Sequence, residues 1–149
     1  MKELTGSASA TTVATPAQAI ALLEAIEGYP SWAPDVVKAA DVLERDADGH
    51  PTKARTKLHV ERGPLTRDFD LLFDVKVDPA GRIALTRVPH EPSDGERFNV
   101  TWRVDGGTST RIALQLDANL SVPRFMPLGD VGDATAQQLV SAATRALQS

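Results

Sequence analysis

The sequence predicts an α+β domain in which an antiparallel sheet is covered on one face by a C-terminal helix. Three observations carry this. From residue 35 onward, successive segments alternate apolar and polar side chains with the period of a strand. Short turn signals join these segments, and short connections make neighbouring strands antiparallel. The apolar face so formed must be covered, and a helical pattern at the C-terminus is the element left to cover it. A length of 149 residues suits one domain, expected to span residues 1–149.

Leu4 to Val13 reads as the first strand. Gly6, Ala8 and Ala10 share one face, and Ser7, Ser9 and Thr11 the other. The inward side chains are small, so a bulky element can pack close to them. Thr15-Pro16 opens a helix: Thr15 caps the free N–H groups, and Pro16 suits a first position that needs no donor. Ala19, Leu22, Leu23 and Ile26 follow at helical spacing, Gly28 supplies a left-handed stop, and Pro30 forbids continuation. Tyr29-Pro30-Ser31-Trp32-Ala33-Pro34 then holds the only tyrosine and one of two tryptophans, and reads as a turn that walls a pocket.

Asp35 to Arg45 is the next strand, with Val37, Ala39, Asp41 and Leu43 in phase; Asp46-Ala47-Asp48-Gly49 turns it. Thr52 to Arg62 places Ala54, Thr56, Leu58 and Val60 on one face and ends at Gly63-Pro64. Leu65 to Val77 sets Phe69, Leu71, Phe73, Val75 and Val77 against Asp68, Asp70, Asp74 and Lys76, an acidic face expected to pair across strands. After the turn Asp78–Gly81 come a shorter strand, Arg82 to Val88, and a polar loop, Pro89 to Gly95. Glu96 to Asp105 aligns Phe98, Val100, Trp102 and Val104; Asp105-Gly106-Gly107 turns the chain; Thr108 to Val122 aligns Ile112, Leu114, Leu116, Ala118, Leu120 and Val122. Asp133 is expected to cap a final helix with a thin apolar stripe of Ala136, Leu139, Val140, Ala143 and Leu147. Gly129 and Gly132 predict a loop or a broken first turn before it.

Several function classes drop out. Net charge is −4 and no long basic run exists, so nucleic acid is not an expected partner. The chain has no cysteine, hence no disulfide framework. No apolar run reaches the roughly 18 residues of a membrane span, and no apolar signal core follows Met1-Lys2-Glu3-Leu4-Thr5, so the expected location is the cytoplasm. His50, His59 and His90 are scattered, with no HxH or HExxH, so no metal site and no cofactor are expected; the histidines read as solvent-exposed. Ser31 has no neighbouring base, so a covalent nucleophile is not expected either.

The candidate site follows from strand parity. Its apolar lining is Trp32, Leu58, Val60, Phe69, Leu71, Phe73, Phe98, Val100, Trp102, Ile112, Leu114 and Leu116, with Val140 from the helix. Four polar residues share that parity: Asp41, Thr56, Arg67 and Arg87. A buried charge needs a partner, so an Asp–Arg pair reaching one cavity is the expected arrangement. Such a pair could orient a ligand, and an inward Arg could stabilise an enolate, which makes Arg67, Asp41 and Arg87 the catalytic candidates.

Thr15-Pro16, Tyr29-Pro30-x-Trp32 followed by Pro34 and Val36-Val37, Val42-Leu43-Glu44-Arg45 with the Asp48-Gly49 turn, and Pro123-Arg124-Phe125 together carry a resemblance. The chain resembles the START-like SRPBCC superfamily, the helix-grip fold, and within it the polyketide cyclase/dehydrase and lipid-transport branch. The resemblance implies a seven-stranded antiparallel sheet wrapped around a C-terminal helix, with short helices between strands one and two. It also implies a cavity for a lipid, sterol, quinone or polyketide. Fold does not fix function among such proteins. The leading reading is a carrier or sensor that binds a small hydrophobic ligand. The alternatives are an aromatase/cyclase-like enzyme and a protein-interaction module with a closed cavity.

Overall fold

The computed structural model describes residues 2–62, 65–123 and 125–148. A first strand, β1 (Lys2–Thr12), leads to α1 (Pro16–Glu24), a 3-10 turn (Ile26–Gly28) and a single helical turn, α2 (Tyr29–Trp32). Six strands follow: β2 (Val37–Arg45), β3 (Pro51–Arg62), β4 (Leu65–Asp78), β5 (Arg82–Arg87), β6 (Arg97–Asp105) and β7 (Thr110–Leu120). The long helix α3 (Val131–Gln148) ends the chain. All seven strands form one antiparallel sheet in the order β1-β7-β6-β5-β4-β3-β2. The meander places β1 beside β7 at one edge and leaves β2 at the other.

The sequence signals at α1 operate as expected. The Thr15 hydroxyl accepts from Gln18 N at 3.2 Å and Gln18 Oε1 accepts from Thr15 N at 2.9 Å, a reciprocal capping box with Pro16 at the first position. Gly28 does not act as a left-handed stop: its φ is −87°, and it leads directly into α2. The YPSWAP stretch is accordingly not an open turn. Pro30 sits in the first turn of α2, where its missing donor costs nothing.

α3 lies mainly along β1, with lighter contact to β7 and β3. The small residues of β1 make this possible. A Cβ on Gly6 would sit 2.0 Å from the carbonyl carbon of Gly132, and one on Gly132 would sit 2.0 Å from Thr5 O. Gly132 is therefore not a helix breaker. α3 starts at Val131, and Gly132 lies within its first turn as the point of closest approach to the strand. Asp133 is likewise inside that turn rather than capping it, and its Oδ1 accepts from Ser7 N at 3.0 Å. The left-handed residue is Gly129, at φ +33°, just before the helix. The apolar stripe holds: Ala136, Val140 and Ala143 are buried, Leu139 and Leu147 half-buried.

The sheet's inward parity holds for β3 through β7 and fails in β2. Register shifts between Val37 and Ala39 and between Val42 and Glu44 mark β-bulges. After the first, Ala40 and Val42 take the inward face opposite Thr56 and Ala54, while Asp41 stands opposite Arg55 on the outer face. Asp41 is thus exposed, not inward, and Leu43 is 52% exposed. The outer face of β3 and β4 carries the expected cross-strand pairs, Arg55–Asp70 at 3.0 Å and Lys53–Asp74 at 3.9 Å. The Gly63-Pro64 break and Arg124 lie outside the described residues.

Candidate ligand-binding site

β5 is short, and this opens the sheet. It pairs with β4 from Phe73 to Asp78 and with β6 from Asn99 to Arg103. The first half of β4, from Leu65 to Leu72, pairs with β3 but has no strand on its other side. The loop 88–96 spans the opening, fastened at its start by Val88 N to Leu72 O at 2.7 Å. Across the opening, aromatic rings take over from hydrogen bonds: Phe98 on β6 sits 5.2 Å from Phe69 and 6.4 Å from Phe73, both tilted.

A pocket of about 460 Å³ occupies this gap, within the size range of small-molecule sites. Phe69, Leu71, Phe98 and Leu120 are its apolar floor, and Arg67, Arg87, Asp94 and Glu96 its polar wall. Arg67 and Arg87 are inward by parity, at the ends of their strands. Arg67 grips Glu96 with two bonds, Nη1 to Oε2 and Nη2 to Oε1, both 2.9 Å, and its guanidinium lies 4.5 Å over the Phe69 ring. Glu96 Oε2 also accepts from Ser121 N at 2.7 Å. Arg87, whose side chain is only 5% exposed, donates to Asp94 Oδ2 at 2.5 Å and to Glu96 O at 2.7 Å. Asp94 further accepts from Glu96 N at 3.1 Å and His90 N at 3.2 Å.

These contacts keep both acids ionised. The Arg87 guanidinium, with the Glu96 and His90 amides, holds the Asp94 carboxyl well below the usual carboxylate range. Arg67 lowers Glu96 in the same direction, against partial desolvation. Asp41 pairs with neither arginine, contrary to the expectation from parity: Arg67 is paired with Glu96 and Arg87 with Asp94. Glu96 shares parity with Phe98 and Val100, so its inward direction was readable. Asp94 lies in an irregular loop, where no periodicity signals direction.

The remaining expected lining is distributed. Val60, Phe73, Trp102, Ile112, Leu114, Leu116 and Val140 are buried, and Trp32, Leu58 and Val100 half-buried. Trp32 packs at 4.9 Å from Tyr29 and edge-on at 6.4 Å from Trp102. Tyr29 donates its hydroxyl to Leu23 O, and burial pushes its phenol up from the ordinary value. Among the described residues, Trp32 Nε1 and Thr56 Oγ1 are buried without a hydrogen-bond partner. A second groove, about 550 Å³, runs between α3 and β3 past Val36, Val60, Thr135 and Ser141.

The histidines are more engaged than their scatter suggests. His50 Nδ1 contacts Glu24 Oε1 at 2.8 Å, and His59 sits between Asp68 at 2.6 Å and Glu61 at 3.2 Å. The neighbouring carboxylates raise both imidazoles above 6.5. His90 is exposed on the loop. No helix among the described residues is long and apolar enough to cross a membrane.

Residues 13–144 match the family model described as polyketide cyclase / dehydrase and lipid transport. No curated protein matches the sequence. Among solved structures, a START superfamily protein from Mycobacterium smegmatis superposes with a TM-score of 0.74 at 20% identity, covering 97% of both chains. The ZhuI aromatase/cyclase from Streptomyces sp. R1128 gives 0.58 at 18% identity, over 99% of this chain and 87% of that one. A STAR-related lipid transfer protein from Xanthomonas axonopodis gives 0.62 at 18% identity, over 96% and 85%. At these identities the likeness is one of fold.

Proposed function

Because this chain belongs to the polyketide cyclase / dehydrase and lipid transport family of the START-like SRPBCC superfamily, we propose that it binds a small hydrophobic molecule as a carrier or sensor. The ligand is of the lipid, quinone or polyketide class, and the chain works as a single START-like domain in the cytoplasm. Phe69, Leu71, Phe98 and Leu120 supply the apolar contact area in the gap pocket, while Trp32, Leu58, Val60, Trp102, Leu116 and Val140 are packed into the core or against it. Apolar area removed from water at roughly 25 cal/mol per Å² drives the association.

The observation that carries this reading is the gap pocket: an apolar floor of Phe69, Leu71, Phe98 and Leu120 under a few convergent polar groups. A cyclase-type reaction needs a cation free to meet a developing enolate. Arg67 and Arg87 are both committed to carboxylates, which favours binding over turnover.

Native mass spectrometry of the protein purified from its own host tests the proposal. The expected spectrum contains a complex with a co-purifying apolar molecule. An apo mass, together with no binding to a panel of lipids, quinones and polyketides, would reject it.

A further inference from the structure

We propose that Glu96 and Asp94 act as built-in carboxylates that occupy the two guanidinium groups of the gap pocket, so that the pocket accepts ligands with an uncharged hydroxyl or carbonyl head and turns away carboxylates. This rests on the reading that the gap pocket binds the ligand.

An apolar pocket with two arginines at its wall looks at first like a site for fatty acids or other anionic amphiphiles. A fork of N–H groups is the usual partner of a carboxylate. Here both forks are already filled. Glu96 takes the two Nη atoms of Arg67 in the geometry that an incoming carboxylate would need. Asp94 and the Glu96 carbonyl take Nη2 and Nη1 of Arg87. An acidic ligand would have to replace Glu96, exchanging one carboxylate–guanidinium pair for an equivalent one, and would leave Glu96 ionised beside it.

The charge of the whole pocket adds to this. Among the described residues its lining holds Arg67, Arg87 and Arg97 against Asp68, Asp70, Glu91, Asp94 and Glu96; Asp70 pairs outward with Arg55 and Asp68 with His59, which leaves Glu91, Asp94 and Glu96 facing Arg67 and Arg87. Arg97 offers no spare cation, because it is paired with Glu3 at 2.7 Å and Asp117 at 3.0 Å. A hydroxyl or carbonyl meets no such repulsion. It needs single hydrogen bonds, which the partly exposed Arg67 guanidinium can give from the N–H groups that Glu96 does not take.

The two acids also have a separate anchoring that keeps them in place. Glu96 Oε2 is bonded to Ser121 N at 2.7 Å, and Asp94 to the amides of Glu96 and His90. Both therefore remain at the wall when a ligand enters. They act as specificity-determining groups by position and charge.

The test compares decanol and decanoate by isothermal titration calorimetry at neutral pH. Both are also titrated into the Glu96→Gln and Asp94→Asn variants, whose folding is checked by circular dichroism. The wild type is expected to bind decanol at least about tenfold more tightly than decanoate, one charge-assisted contact's worth of discrimination. In Glu96→Gln the ratio is expected to fall by about tenfold or reverse, because Arg67 is freed for the carboxylate. Asp94→Asn frees Arg87 and reports independently should the first variant not fold. Equal or tighter binding of decanoate by the wild type would overturn the selectivity while leaving the binding function standing. Unchanged ratios in the folded variants would remove the two acids from the role. Failure of wild type and variants to bind either probe would instead sink the gap pocket as a ligand site, and the selectivity with it.

Discussion

Gly132→Ala isolates the contact that seats α3 on the sheet. An added Cβ would stand 2.0 Å from Thr5 O, 2.5 Å from Thr5 C and 3.0 Å from Gly6 N. Ordinary contact begins near 3.4 Å, so helix and strand would have to separate by more than an ångström. The obstacle is strand backbone bonded to β7 along its length, so no flexible side chain can yield. Overpacking of this kind costs about 1–3 kcal/mol, and backbone obstruction puts the case at the upper end. Alanine's better helix propensity offsets about 1 kcal/mol of that loss. The net expectation is a loss of about 2 kcal/mol, or roughly 4–8 °C in Tm for a chain of this size. Urea denaturation with an unchanged m-value is the assay. Gly28→Ala is the control: nothing lies within 4 Å of its added Cβ and its φ is −87°, so a gain of about 0.4–1 kcal/mol is expected. If Gly132→Ala proved as stable as the wild type, the close approach of helix and strand would be wrong.

Two further outcomes are expected. Thr56→Val replaces a buried hydroxyl without a partner by a methyl of similar shape; the protein should become more stable by about 1 kcal/mol, measurable by urea denaturation. Loss of stability in that variant would mean the hydroxyl is already satisfied. For His50 and His59, paired carboxylates raise the folded-state value above 6.5, so their contribution is complete below the unfolded value and is lost as pH rises through the folded one. Stability followed by urea midpoint should decline across that window, and His50→Gln with His59→Gln should flatten the decline; an unaltered profile would discount both pairs.

Most of the architecture was legible because local signals and tertiary demands agree. The Thr15–Gln18 box, the alternation of β4 and the stripe on α3 each specify one arrangement. The failures have definite causes. Straight alternation puts Asp41 inward, but a β-bulge intervenes, and nothing in the composition of Val37-Lys38-Ala39 marks it. Helix propensity is local and marks Gly132 as a breaker, whereas the reason for glycine there is Gly6, more than a hundred residues earlier in the chain. The wall acids divide in the same way. Glu96 continues a strand's parity and could be anticipated; Asp94 is brought to Arg87 by a loop whose path follows from the short β5.

That short strand also decides how the sheet responds to load. β1, β7 and β6 on one side, and β4, β3 and β2 on the other, are joined in the sheet through β5 alone, six residues long. The flanking ladders are longer, running from Arg62↔Leu65 to Lys53↔Asp74 between β3 and β4 and from Lys2↔Leu120 to Thr12↔Thr110 between β1 and β7. Breathing of the sheet is therefore expected to concentrate at β5, as bending concentrates at the narrowest section of a beam. The Arg67–Glu96 pair runs from β4 to the residue before β6 and braces that narrow section, while Arg87–Asp94 ties the loop to the end of β5, so widening the gap would strain a contact that also sets its charge.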